Sequence, residues 1–131
     1  MSRREMDDAL KTRFVPALRR IGFKGSLPHF RRPGDGKVDL LTVQFDRHGG
    51  GFVVEISRCG IDGITTHWGK SIPATKVTAH DLLPRQRHRL GQPAPGLDGR
   101  WFRFDDGTPP MTVAESLCTY LDEAERWWAA S

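Results

Sequence analysis

The chain has 131 residues, of which 37% are hydrophobic and 27% are charged, as in an ordinary globular protein. This length suits a single domain over residues 1–131 with one core, and no stretch reaches the ~18 apolar residues that a membrane span needs. The N-terminus is charged and lacks the apolar run of a signal peptide, so we expect a cytoplasmic protein that does not contact membranes. Cys59 and Cys118 form no metal-binding or redox motif, which favours reduced thiols.

The net charge of +4 is distributed unevenly along the chain. Residues 1–32 hold nine Lys and Arg against three acids, whereas residues 105–131 hold one against six. A basic front and an acidic end can steer a charged partner to the protein, and they can equally neutralise each other within the fold. We therefore expect a partly basic surface and leave both interpretations open.

An amphipathic helix is predicted from Arg4 to Ile21. Its apolar residues recur every three or four positions and form one stripe, made up of Met6, Leu10, Phe14, Ala17, Leu18 and Ile21. Pro16 lies inside this pattern, where it either kinks the helix or begins a new helix in its first turn. Gly22 is a typical residue at which such a helix ends.

The strongest strand signal is a hairpin from Val38 to Ser57. Alternation predicts one buried triplet in each arm, Leu41, Val43 and Phe45 in the first and Phe52, Val54 and Ile56 in the second. A polar, glycine-rich linker joins the arms, so we expect antiparallel pairing with both triplets in the core. Further strands are predicted at Pro28–Arg32, Arg85–Leu90 and Trp101–Phe104, the last two joined by a Pro/Gly-rich connection at Gly91–Gly99.

A second helix is predicted to begin near Thr112, because Thr112 and Glu115 have the spacing of a capping box. Its apolar residues again follow the helical period. Together the elements predict an α+β fold, in which an antiparallel sheet of about four to six strands packs with an N-terminal and a C-terminal helix. Residues 59–79 follow neither period, and such a long loop is either functional or contains a short element.

The order of several short segments resembles the bacterial proteins of the family called domain of unknown function 4304. The resemblance covers roughly residues 5–105 and is carried by LRRIGFKG (18–25), FRR (30–32), a long strand ending near Gln44, GFVV (51–54), RHRL (87–90) and Trp101. These motifs consist mostly of glycines and aromatic residues. They imply a shared fold, and no activity is carried over from the family.

No catalytic or cofactor motif is present among the titratable residues. The candidates are His29, His48, His67, His80, His88, Asp46, Asp62, Asp81 and Glu55. The run Gly49–Gly51 precedes a strand, so it lacks the helix N-terminus that makes phosphate-binding loops effective. We therefore expect neither a cofactor nor a metal site.

The most unusual local composition is the arginine-rich segment 85–89. Within a strand its three arginines would point to one face about 6–7 Å apart, and guanidinium groups beside an aromatic ring can bind anions. The segment 59–77 is predicted to cover this face. The predicted ligand-binding residues are Arg85, Arg87, Arg89, Trp101, Arg103, Trp68 and His88. We favour the competing interpretation, in which the arginines form a solvated strand face and pair with the acidic final helix.

The leading hypothesis is a non-enzymatic binding or interaction module for an anionic small molecule or a protein partner. The alternative is a hydrolase or transferase acting on an anionic, phosphorylated substrate, with His80 or His88 as general base and Arg87 or Arg89 as oxyanion clamp. Nucleic-acid binding ranks third, because no standard nucleic-acid-binding motif is present. A cleft that holds a histidine, a carboxylate and an arginine together would favour the enzyme. A flat basic face would favour binding, and the oligomeric state stays open.

Overall fold

The computed structural model describes residues 3–91 and 101–131. In these residues a six-stranded antiparallel sheet packs against helices from both ends of the chain, which confirms the predicted α+β class. The helices are α1 (Arg3–Ala9), α2 (Val15–Arg20), α3 (Pro110–Thr119) and α4 (Leu121–Ala130). The strands are β1 (Lys24–Ser26), β2 (His29–Pro33), β3 (Lys37–Phe45), β4 (Gly51–Gly60), β5 (Ile64–Thr65), β6 (Ser71–Ile72), β7 (His88–Arg89) and β8 (Phe102–Arg103).

The sheet has the order β1-β2-β3-β4-β7, and β8 pairs with the beginning of β4 along the same edge as β7. The strands β5 and β6 form a separate two-stranded hairpin. No helix among the described residues is long and apolar enough to cross a membrane. The predicted connection at Gly91–Gly99 lies, apart from Gly91, outside the described residues.

The N-terminal helical region restarts at the proline, as one of the two predicted outcomes requires. A π-helical turn, Leu10–Phe14, separates α1 from α2, and Pro16 lies in the first turn of α2. The backbone stays helical through Phe14 and Val15, so the π-helical turn accommodates a proline whose nitrogen donates no hydrogen bond. Gly22 follows α2 with φ +99°, a left-handed conformation that ends the helix.

The central hairpin has the predicted register. The strands β3 and β4 pair from Lys37 with Gly60 to Phe45 with Phe52, so Val43 lies opposite Val54. Both predicted triplets face the helices, and they pack in one core with Phe14, Leu18 and Leu117. Period two therefore identified the helix side of the sheet correctly.

The second face of the sheet is also covered, which the alternation did not predict. Thr42, Val53, Glu55 and Ser57 all point away from the helices and are buried. The chain between β4 and β7 folds over this face. It contributes to a second, smaller apolar cluster, which contains Val38, Leu40, Cys59, Val77, Ala79 and Leu82.

The C-terminal helix differs from the prediction at its start and in its middle. The helix α3 begins at Pro110 without a side-chain cap, so the predicted capping box is wrong. Proline suits the first turn of a helix, and Glu115 instead pairs with Arg13, 3.1 Å away. A turn at Tyr120 separates α3 from α4.

Arg32 joins β2 to the last helix. Its guanidinium group donates hydrogen bonds to Asp39 on β3 and to Glu125 on α4. It also lies 4.8 Å from the ring of Phe23 and 5.2 Å from that of Trp128. This contact fixes α4 on the helix side of the sheet.

Candidate functional site

Glu55 is a buried carboxylate on the second face of the sheet. Its neighbours Val54 and Ile56 face the helices, so the pleat turns Glu55 to the opposite side. The side chain is 10% exposed, and a buried carboxylate is strongly unfavourable without partners. Its partners are three basic side chains, His80, Arg87 and Arg89.

The contacts around Glu55 are looser than hydrogen-bonded ion pairs. His80 Nε2 lies 3.4 Å from Oε1, Arg87 Nη1 lies 3.7 Å from Oε2, and Arg89 Nη2 lies 3.8 Å from Oε1. Tight charge-assisted bonds measure about 2.7–2.9 Å. The 3.4 Å contact is too poorly oriented for a hydrogen bond, and His80 Nε2 is buried without a partner. Glu55 and its basic neighbours therefore interact mainly by charge, and N–H groups of these neighbours that face Glu55 keep hydrogen-bonding capacity for another acceptor.

The charge state of Glu55 follows from these neighbours. The facing imidazole of His80 lowers the pKa of Glu55 most, and the charges of Arg87 and Arg89 lower it further, while burial acts in the opposite direction. The net effect holds the pKa of Glu55 below its ordinary value. Glu55 is therefore ionised at neutral pH.

A short turn within the second apolar cluster positions His80. The 3₁₀ turn Ala79–Asp81 has a capping box, in which the Thr78 backbone N–H donates to Asp81 Oδ2 over 2.8 Å. Arg87 then fastens the turn, because its Nη2 donates to the carbonyl of His80 and its Nε to the carbonyl of Leu82. His80 is thus held on a braced backbone.

His29 and Thr42 extend the polar cluster toward β2. The two side chains share a 2.9 Å hydrogen bond between His29 Nδ1 and Thr42 Oγ1, and the rings of His29 and His80 lie 6.2 Å apart. Burial, followed by the charge of His80, lowers the pKa of His29. Nearby, Arg31 donates to the carbonyl of Val77, while its Nε is buried without a partner.

A cleft of about 520 Å³ opens beside this cluster. The β5–β6 hairpin forms one wall and the segment 80–87 forms the other. The lining residues are Ile64, Thr65, Thr66, His67, Trp68, His80, Asp81, Leu82, Leu83, Pro84, Gln86 and Arg87. Glu55 contacts two of them, His80 and Arg87. In residues 3–91 and 101–131 no group of three or more His, Cys, Asp or Glu could hold a metal ion.

Two of the predicted ligand-binding residues line this cleft, Arg87 and Trp68. Arg89 lies directly opposite Glu55 in the pairing of β4 with β7, and its guanidinium group is 5.9 Å from the ring of Trp101. It therefore belongs to the Glu55 cluster without lining the cleft. The hairpin that follows Cys59 forms a wall of the cleft, with Trp68 at its rim.

The remaining predicted residues lie elsewhere. Arg85 is exposed on a 3₁₀ turn, Pro84–Gln86, and Arg103 pairs with Asp105 at 2.9 Å. His88 points to the helix side, because it lies opposite Ile56, and its Nε2 is 2.7 Å from Glu123. The predicted strand over 85–90 is thus wrong at its beginning, since Pro84 starts a turn there, and the three arginines do not form one stripe.

The predicted pairing of the arginines with the acidic final helix is also wrong. Arg87 and Arg89 face Glu55, which lies on β4. The final helix engages His88 through Glu123 and Arg32 through Glu125. A signal for Glu55 exists in the sequence, because it is a carboxylate inside an apolar strand, and Thr78-Ala79-His80-Asp81 has the spacing of a capped turn.

The comparisons with known proteins give one match. A family model described as Domain of unknown function (DUF4304) matches residues 14–131. This extends the sequence resemblance to the C-terminal helices. No curated protein and no solved structure matches the chain.

Proposed function

This chain belongs to the DUF4304 family, and we propose that it is a binding module whose cleft takes a small anionic ligand. The observation that carries the proposal is the position of Arg87 and His80 on the cleft surface, beside a cluster with more basic than acidic groups. His80, Arg87 and Arg89 face the carboxylate of Glu55 at 3.4 Å, 3.7 Å and 3.8 Å. A phosphate or carboxylate group would supply acceptors for the N–H donors of these side chains, which Glu55 satisfies poorly.

The preorganisation of these groups supports the same proposal. Arg87 is braced by two backbone carbonyls, and His80 lies on a capped turn. A side chain that is already fixed loses little freedom when a ligand binds. The volume of the cleft is within the range of about 300–1,000 Å³ that is typical of small-molecule sites.

The test is a titration of the isotope-labelled protein with inorganic phosphate, followed by NMR. We expect shifts of the backbone amides at residues 64–68 and 80–87, with an affinity that falls as salt rises. Arg87→Gln should weaken binding by at least about tenfold. Arg85→Gln is the matched control, because Arg85 lies two residues away and does not line the cleft.

Two results would overturn this proposal. One is the absence of shifts at the cleft amides, and the other is an equal loss of binding in both arginine variants. If Arg87→Gln loosens the turn, which circular dichroism and the thermal midpoint would reveal, His80→Gln provides the same comparison. His48→Gln, in the exposed β3–β4 connection, is then its control.

A second candidate function is a hydrolase or transferase acting on a phosphorylated substrate. One observation favours it: Glu55, His80 and Arg87 converge within 3.4–3.7 Å beside a cleft. A carboxylate that faces an imidazole can stabilise the imidazolium that forms when the imidazole acts as a general base. His88 is less suited to this role, because it is engaged by Glu123 on the helix side. Release of phosphate from phenyl phosphate that is lost in His80→Asn would support the enzyme, whereas binding without turnover would support the binding module.

We further propose a bacterial, cytoplasmic setting with a partly basic protein surface. The free thiols of Cys59 and Cys118 agree with a reducing compartment. A protein partner remains an alternative to the small anion. Nucleic acid ranks below both, because the basic residues are divided between the cleft, the sheet edge and the exposed turn.

A further inference from the structure

The cleft has two chemically different walls. The wall formed by the segment 80–87 carries His80, Gln86 and Arg87, whereas the hairpin wall ends in Trp68. The side chain of Trp68 is 64% exposed, the largest exposed fraction among the large apolar residues that the structure describes. A tryptophan left in water beside a charged cleft is an available surface for a flat apolar group.

The hairpin that carries Trp68 is well defined. Ile64 pairs with Ile72 and Thr65 with Ser71, and the buried Thr66 closes the turn by exchanging hydrogen bonds with Lys70. The ring of His67 stands edge-on to Trp68, 4.6 Å from its centroid. The indole is therefore presented from a closed turn.

The base of the hairpin depends on a glycine. Gly63 has φ +82°, and a Cβ atom there would overlap the carbonyl oxygen of Ile72. Both facts restrict the position to glycine. The hairpin and the segment 80–87 therefore form two separate walls on opposite sides of the cleft.

We infer that the ligand of this cleft carries a planar aromatic ring next to its anionic group, with the ring on Trp68 and the anion at Arg87 and His80. This inference rests on the proposed function, because it names the ligand class for the same cleft. Nucleoside monophosphates and simple aryl phosphates share the required chemistry. Stacking on an exposed aromatic side chain contributes about 1–3 kcal/mol per base and does not depend on which base is bound. The ring should therefore raise the affinity about tenfold or more above that of phosphate alone.

The test compares four probes by calorimetry at one ionic strength: inorganic phosphate, phenyl phosphate, adenosine 5′-monophosphate and adenosine. Phenyl phosphate and the nucleotide should bind more tightly than phosphate and more tightly than adenosine. Trp68→Ala should remove the advantage of the ring and leave phosphate binding within about twofold. Trp101→Ala is the matched control, because this tryptophan is also exposed and does not line the cleft.

The outcomes separate this inference from the proposed function. If phosphate binds at the cleft but the aromatic probes gain nothing, or if Trp68→Ala leaves their affinity unchanged, the aromatic ligand class is wrong and the anion site stands. If none of the anionic probes binds, both fail. A preference for the nucleotide over phenyl phosphate would identify the base and ribose as part of the ligand, and the reverse would identify a smaller aryl anion.

Discussion

Arg87 reaches toward the carboxylate of Glu55 across 3.7 Å and uses its other nitrogens to hold the carbonyls of His80 and Leu82. One guanidinium group therefore connects the centre of the sheet to the wall of the cleft. Loss of Arg87 or of Glu55 should affect both the backbone of the cleft wall and the buried charge, because both depend on the same guanidinium group.

Glu55→Gln should lower the free energy of unfolding by about 1–3 kcal/mol. The substitution keeps the volume of the side chain but leaves three basic groups without their counter-charge. Urea denaturation at neutral pH measures the change. The exposed Asp62→Asn is the control and should alter stability by less than about 0.5 kcal/mol, so equal effects of the two variants would contradict a role for the buried charge.

The stability of the protein should fall in acid in two steps. The pKa of His29 is below its ordinary value of 6.5, mainly because of burial, so the unfolded chain binds this proton first and stability declines as the pH falls below 6.5. The pKa of Glu55 is also lowered. Its contribution is complete above its ordinary value of 4.5 and is lost as the pH falls through the folded-state value.

His29→Gln separates the two steps. In this variant the free energy of unfolding should change less as the pH falls just below 6.5. The loss of stability below pH 4.5 should remain, since Glu55 is unchanged. Denaturation midpoints measured across this range provide the comparison. An upper step that persists in His29→Gln, or that disappears in the control His48→Gln, would assign it to another group.

Arg32→Lys should destabilise the protein by about 1–2 kcal/mol although the charge is kept. Lysine cannot bond Asp39 and Glu125 at once in the same fork, and it lacks the flat surface that lies against Phe23 and Trp128. Chemical denaturation followed by tryptophan fluorescence measures the loss. The exposed Arg47→Lys should have almost no effect, and a matching loss there would count against the specific contact.

Val54→Asp should cost about 3–5 kcal/mol, because it places an unpaired charge in the core opposite Val43. Gln44→Asp introduces the same side chain at an exposed position of the adjacent strand and should cost less than about 1 kcal/mol. The thermal midpoints of the two variants decide the matter. Equal midpoints for Val54→Asp and the parent would contradict the register.

Cys59 and Cys118 should remain unlinked in the purified protein. Cys59 packs with Val38 and Leu40 on the second face of the sheet, whereas Cys118 packs against the core on the helix side. Burial also raises the pKa of both thiols, which slows their reactions. Mass spectrometry of unreduced, alkylated protein checks this, and a peptide linking the two residues would contradict it.

The helix side of this fold is predictable because its residues obey one period each. Phe14 and Leu18 follow the helical repeat, and Val54 follows the strand repeat. Leu40 and Val53 are buried on the other face of the sheet. When both faces of a strand are covered, apolar residues no longer alternate with polar ones, so alternation cannot reveal the second buried face. The second layer over the sheet therefore had no periodic signal.

The candidate site was predicted in part. Arg87 and Trp68 lie at the same cleft, because a long loop after Cys59 had to return to the sheet edge. The partners Glu55 and His80 depend on contacts between distant segments, which local spacing does not encode. The arginine stripe failed for a local reason, since Pro84 favours a turn where a strand was expected.

The cleft is made from one uninterrupted excursion of the chain, residues 61–87, between two strands of the same sheet. This excursion attaches to the sheet through the second apolar cluster and through Ser57, whose hydroxyl donates to the carbonyl of Gln86. The principal core lies on the opposite side of the sheet and contains none of the excursion's residues. Local unfolding of this excursion is therefore expected to cost less free energy than unfolding of the whole domain. Apart from His80 and Arg87, which face the buried Glu55, the residues that line the cleft can diversify and change the ligand preference with little effect on the core of the helix side.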